Sequence, residues 1–189
     1  MKRDRKNFQG ATYHITTRCN NGEFLLNKTI HFEKYLEVLK ECKKKYGFLL
    51  HNYIPVNSHV HLSLKLEKVL DISKIMHSIN RWYAGWYNKI FERTGHFWEE
   101  RFYGVLVEDD LQLLTTMVYD DLNAVKAGLC KHPWEWKYSG AKYYLKGIED
   151  PLLDPPDVYF ELGKTEKERQ ETYARVMSLY YERVIQDIS

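Results

Sequence analysis

Apolar and polar residues alternate with a period of two in "TYHITTRC" (12–19), a run rich in Thr, Ile and Tyr. That is the pattern of a strand with one buried face. In "HFEKYLEVLKECKKKYG" (31–47) the period lengthens: Phe32, Tyr35, Leu36, Leu39 and Cys42 form a helical stripe, and Gly47 supplies a stop. "FLLHNYIPV" (48–56) and "HVHLSLKL" (59–66) read as two strands joined by a short turn at Asn57-Ser58. "DISKIMHSINRWYAGWYNKIFERTG" (71–95) reads as a helix capped by Asp71, and "YGVLVE" (103–108) as a fourth strand. "DDLQLLTTMVYDDLNAVKAG" (109–128) reads as one helix, with acidic residues in its first turn and Gly128 at its end.

The order β-α-β-β-α-β-α predicts an α+β domain. Its first six elements make a ferredoxin-like split β-α-β antiparallel sheet with helices on one face. The seventh is an added helix that carries a tyrosine. "EDPLLDPPD" (149–157) holds three prolines and reads as a linker, and residues 165–189 read as one C-terminal helix. The expected division is therefore a domain over 1–148, then a linker and helical extension over 149–189.

Composition narrows the class. The 189 residues are 44% hydrophobic and 29% charged, which fits one soluble globular domain. There is no long apolar run, so no membrane span is expected. The basic start "MKRDRKNFQGATYH" lacks the apolar core of a secretory signal. Cys19, Cys42 and Cys130 are widely spaced and form no zinc-binding pattern. They suggest reduced thiols and a cytoplasmic location. Charge is divided unevenly: residues 1–105 carry 18 Lys/Arg against 10 Asp/Glu, and residues 106–189 carry 10 against 16. A basic front half suits a polyanionic partner, although a solvated surface with clustered charge has the same composition.

The candidate chemistry begins with "NSHVHLSL" (57–64). His59 and His61 are two apart in a strand, so both imidazoles project from one face. Such a pair could share a metal ion or a phosphate, or could be two ordinary strand histidines. Tyr119 and Asn123 are four apart on a helix and share its face. If that face met the histidine pair, two imidazoles, one amide oxygen and one phenol would converge. A hard divalent ion such as Mg2+ or Mn2+ accepts N/O ligands and keeps positions open for water and phosphate. The phenol would be a candidate nucleophile. Packing is the alternative for any one tyrosine in a chain that has 15.

These segments, in this order, resemble the HUH-type Y1 transposases of the IS200/IS605 group, and most of all the branch of REP-associated tyrosine transposases. The resemblance runs over residues 12–145. It is carried by "YHITTRCNNGEFLL", "YIPVNSHVHLSL", "RTGHFWEERFYGVLVEDD", "VYDDLNAVKAGL" and "WEWKYSGAKYYL". Two departures stand out. Asn57-Ser58 replaces the family's Pro-Asn before the first histidine, and Asn123-Ala124 replaces its Asn-Pro after the tyrosine. Neither removes a proposed ligand or the nucleophile.

The resemblance implies that His59 and His61 hold Mg2+ or Mn2+, with Asn123 as third ligand or as a residue orienting them. It implies that Tyr119 attacks a phosphodiester of single-stranded DNA beside a hairpin. The product would be a 5′-phosphotyrosine and a free 3′-OH, so rejoining would need no nucleotide cofactor. The enzyme would act as a monomer or homodimer. Arg18, Lys43, Lys44, Lys45, Arg81, Arg93 and Arg101 become candidates for phosphate contact. Trp82, Trp86, Phe97 and Trp98 become candidates for stacking on unpaired bases. Packing or a solvated face is the other reading of each. His14, on the first strand, either lines the site or is a buried or hydrogen-bonded structural histidine, and the same two readings apply to His96.

Two other functions compete. "HIT" (14–16) and "HLS" (61–63) are H-x-T/S motifs of the kind paired in metal-independent 2H RNA phosphoesterases. A domesticated protein that binds DNA hairpins without cutting them is the second.

Overall fold

The computed structural model describes residues 8–68 and 71–186. The strands are β1 (Thr12–Arg18), β2 (Phe48–Val56), β3 (His59–Leu66) and β4 (Tyr103–Val107). They form one antiparallel sheet in the order β2-β3-β1-β4. Helix α1 (Thr29–Tyr46) connects β1 to β2, and α2 (Ile72–Ile90) connects β3 to β4. This is the expected ferredoxin-like arrangement. Strands β2 and β3 have the expected bounds. α2 ends at Ile90 rather than Gly95, and Asp71 caps its first turn through Ser73 N at 2.9 Å. Gly47 closes α1 at φ 67°, a left-handed conformation that costs glycine little.

The two faces of the sheet differ. Tyr13, Ile15, Leu62 and Leu64 pair across β1 and β3 and are no more than 2% exposed. They make an apolar face, and the layer of α1 and α2, which pack on each other, covers it. His14, Thr16, His61 and Ser63 occupy the alternate positions. Between Leu50 and Asn52 the pairing of β2 with β3 shifts by one residue. This bulge brings Asn52 opposite Ser63, on the polar face.

The segment expected as one helix over 109–128 is two. α3 (Asp110–Asp121) and α4 (Asn123–Lys126) meet at Leu122. The Asn123 side chain donates Nδ2 to the carbonyls of Tyr119 at 3.0 Å and Asp120 at 3.1 Å. An asparagine that binds backbone carbonyls competes with the helical ladder, and the helix is interrupted there. α3 lies on the polar face of the sheet. Ile54 and Val56 of β2 pack with Ala124 of α4 beside it.

α5 (Ala141–Lys146), α6 (Asp157–Phe160) and α7 (Glu166–Gln186) follow. The proline-rich stretch before α6 is packed: Leu152 and Leu153 are buried, and Asp154 accepts from Leu50 N at 2.8 Å. Tyr173 of α7 is fully buried and donates to Asp121 of α3 at 2.7 Å. The last three residues expected in the C-terminal helix lie outside the described residues. No helix among those described is long and apolar enough to cross a membrane.

Candidate active site

Three elements meet above the polar face. The β1–β3 register sets His14 opposite Ser63, Thr16 opposite His61 and Arg18 opposite His59. β3 contributes His59 and His61, whose rings meet edge-on at 4.9 Å between centroids. α3 places the Tyr119 ring edge-on to His61 at 5.9 Å. Lys126, two turns on, holds its ammonium 4.2 Å from the Tyr119 ring centre, a cation–π contact that fixes one face of the ring. Tyr180 of α7 stands edge-on to Tyr119 at 6.4 Å.

Asp120, next to Tyr119 in sequence, is wholly buried. Its Oδ1 lies 3.0 Å from His14 Nε2 and 3.4 Å from His61 Nδ1. The two imidazole nitrogens are 3.2 Å apart, and Thr16 Oγ1 is 3.2 Å from His61 Nδ1. His14, His61 and Asp120 together form a group that could hold a metal ion. The other side of His61 differs: Nε2 is buried and has no hydrogen-bond partner. His59 resembles it, since its Nδ1 is engaged with Ser58 Oγ at 3.1 Å.

Burial dominates the electrostatics. It pushes the His59 imidazole down to about 4, with the His61 and Arg18 charges adding to the effect and Asp120 opposing it. Burial lowers His61 as well, against the pull of Asp120. Both rings are therefore neutral at pH 7, the form in which a histidine nitrogen can ligate a metal. At His14 burial again pushes down, but the hydrogen bond and charge of Asp120 outweigh it and the net shift is upward. Beside this centre Asp121 is fully buried between Asn52 Nδ2 at 2.8 Å and Tyr173 Oη at 2.7 Å. Burial raises its carboxyl to about 7, because the two hydrogen bonds only partly offset the desolvation.

The other candidates scatter. Arg18 is exposed at the rim, opposite His59. Lys43, Lys44 and Lys45 sit in the last turn of α1, which leads into Phe48 and Leu66 at the far end of the sheet from His59. Lys43 is bound to Asp154 at 2.6 Å and to the Leu152 carbonyl at 2.8 Å, so as a phosphate contact it is corrected to an internal tie. Lys45 lies over Trp82, which is exposed. Arg93 reaches the His96 carbonyl at 2.8 Å. Arg81 and Arg101 line a cleft of about 900 Å3 between α2 and residues 95–102, to which neither Tyr119 nor the site histidines contribute.

Two stacking candidates need correcting. Phe97 and Trp98 are core residues, and Trp98 donates Nε1 to the Asn80 carbonyl at 3.0 Å. Both rings pack into the α1–α2 layer against Tyr35, Tyr83 and Tyr87 and are not presented to bases. Of the two readings of His14, the structure places it beside Asp120 and His61. The two H-x-T/S motifs do lie side by side, but Asp120 covers them and Ser63 has no exposure. Asp120 bridges the two histidines, an acid that the H-x-T/S pairing does not call for.

The model of the IS200-like transposases matches residues 7–119, well over half of the chain and ending on Tyr119. The chain belongs to the IS200-like transposase family. Among solved structures, it is similar to a REP-associated tyrosine transposase bound to a REP hairpin. The TM-score is 0.66 at 18% identity, covering 82% of this chain and 92% of that one. At that identity the likeness concerns the fold. A proposed transposase from Deinococcus radiodurans R1 matches at a TM-score of 0.47 and 15% identity, over 64% of this chain and 97% of that one. No curated protein matches. The fold and family together make this a transposase-type DNA-processing domain.

Proposed function

We propose that this chain nicks and rejoins single-stranded DNA beside a hairpin, with Tyr119 as the nucleophile. The observation that supports it is the convergence of Tyr119, His61 and His59 from α3 and β3, with ring centres 5.9 and 4.9 Å apart. The residues fit a divalent cation such as Mg2+ or Mn2+: the buried His61 Nε2 lacks any partner, and the His59 imidazole is neutral with Nδ1 engaged elsewhere. His59 and His61 would hold the ion, and the Asn123 side chain would brace the Tyr119 turn. Such an ion supplies polarisation of the scissile phosphodiester and charge stabilisation for the departing 3′-oxygen.

The Tyr119 Oη attacks phosphorus, forms an O–P bond and gives up its proton to water, which balances the proton that water supplies to the leaving oxygen. The P–O3′ bond breaks, and the 3′-oxygen takes a proton from water. Lys126 keeps the ring in place during the exchange. The reverse attack by a 3′-OH restores the phosphodiester, so no nucleotide cofactor is needed. Arg18 at the rim gathers the DNA backbone, and the Arg81–Arg101 cleft receives a further part of the strand. The reading implies a cytoplasmic protein that acts as a monomer or homodimer.

The test is incubation with hairpin-bearing single-stranded DNA and Mn2+, then mass spectrometry of the tryptic peptide ending at Lys126. A nucleotide on Tyr119 is expected. Binding with neither nicking nor an adduct would instead indicate a protein that only holds hairpins.

A further inference from the structure

His61 has two nitrogens in two different settings. Its Nδ1 faces Asp120, His14 and Thr16. Its Nε2 is buried without a partner. An ion among His14, His61 and Asp120 would take Nδ1 and force the ring proton onto Nε2, where nothing accepts it. The same cost arises if His14 Nε2 donates to His61 Nδ1. A buried N–H left unpaired is the more expensive arrangement.

We propose that Asp120 and His14 are a positioning pair for His61. Asp120 Oδ1, 3.4 Å from His61 Nδ1, and Thr16 Oγ1, 3.2 Å from it, favour the ring proton on Nδ1 and so present Nε2 as the ligating nitrogen. His14 donates Nε2–H to the same carboxylate oxygen and holds it in place. Carboxylate–histidine pairs of this kind fix the tautomer and orientation of a ligand and raise its basicity. The pairing also explains why the residue after Tyr119 is a buried acid, when an exposed helix face would tolerate almost any side chain. Neither residue touches substrate.

The proposal rests on the reading of His61 as a cation ligand, and two measurements separate the two ideas. The first is the His61 tautomer of the metal-free protein, read by long-range 1H–15N NMR. A proton on Nδ1 is expected, with a shift toward Nε2 in Asp120→Ala. A proton on Nε2 in the unaltered protein would overturn the proposal whatever the metal does.

The second is Mn2+ affinity, followed by EPR of the free ion. His59→Ala and His61→Ala should lose the ion. Asp120→Ala should weaken it about 10- to 100-fold, and His14→Gln by less. Asp120→Asn keeps an acceptor of the same shape, so it should recover part of the loss and serves as the folded control. If His14→Ala abolished Mn2+ binding while His59→Ala left it intact, the ion would sit among His14, His61 and Asp120, and the proposal would be wrong. If the unaltered protein took no Mn2+ yet showed the Nδ1 proton, the ligand reading would fall and the positioning of His61 would stand.

Discussion

The two faces of the sheet are made by alternate residues of the same strands, yet they do opposite things. Tyr13, Ile15, Leu62 and Leu64 bury apolar surface under α1 and α2. One residue away in each direction, His14, Thr16, His61 and Ser63 form a polar face that α3 covers with Asp120 and Asp121. Apolar burial stabilises without direction. A buried polar face is tolerated only where each group finds a partner, so every exception carries information. Here His61 Nε2, Asp120 Oδ2 and Ser63 Oγ are exceptions on this face. The first face holds the fold, and the second holds the proposed site at some cost to it.

The largest expected effect separates the faces completely. Tyr119→Phe removes one hydroxyl from a partly exposed ring. Adduct formation and nicking should vanish, while the melting temperature and hairpin binding stay unchanged. An undiminished adduct, or one on Tyr103, would show that another phenol is the nucleophile.

On the apolar face the balance reverses. Leu62→Ala should cost about 2–5 kcal/mol of stability, since Leu62 is 1% exposed and its loss leaves a cavity between sheet and helices. Nicking per folded molecule should persist at low temperature. A loss of activity without a loss of stability, measured by urea unfolding, would mean that the two faces are coupled.

The difference between the faces also decides what the sequence could reveal. Period-two and helical stripes located β1 to β4, α1 and α2, because burial on one side leaves an alternating record in the chain. β2 and β3 came out with their bounds, and Asp71 and Gly47 ended their helices as expected. His59 and His61 stood out as candidates because they are two apart in one strand, and Tyr119 and Asn123 because they are four apart, although the structure sets them on either side of the break at Leu122. Asp120 was not, and His14 was only one of two readings, because their contact arises only when Thr16 lies opposite His61 and α3 crosses above, a pairing across more than 40 residues. The parity of β1 held a signal all the same: His14 and Thr16 share a face, and a candidate ligand histidine on the next strand calls for a partner there. The break at Leu122 was hidden, because apolar spacing continues through it and only the Asn123 side chain interrupts the ladder. Trp98 looked available in "GHFW" because composition does not tell a stacking platform from a core ring.

A third and smaller effect lies within the polar face. Burial lifts the Asp121 carboxyl to about 7 in the folded chain, while in the unfolded chain it ionises near the ordinary 3.8. Between those values the folded state holds a proton that the unfolded state has lost. Stability from this group therefore falls as pH rises from about 4 toward 7, and is level above that. Asp121→Asn cannot ionise and should lack this fall. The check is the urea midpoint of both proteins at pH 5 and pH 8: the unaltered protein should lose ground to the variant at pH 8. Parallel pH dependence would place the charge of Asp121 elsewhere.

The smallest effect compares two basic positions that look alike in the sequence. Arg18 is exposed beside His59, with no carboxylate partner among the described residues. Lys43 is tied to Asp154 at the far end of the sheet. A cation free to meet phosphate releases counterions on binding, and a cation already paired within the protein contributes much less. Arg18→Ala should weaken binding of single-stranded hairpin DNA severalfold and reduce the slope of log affinity against log salt by about one. Lys43→Ala should leave that slope alone. It should lower stability by no more than about 1 kcal/mol, because the pair is partly exposed and screened. A salt series on the two variants measures both slopes. If Lys43→Ala changed the slope and Arg18→Ala did not, the DNA would cross the far end of the sheet, and the catalytic reading of the Tyr119 face would need another path for the strand.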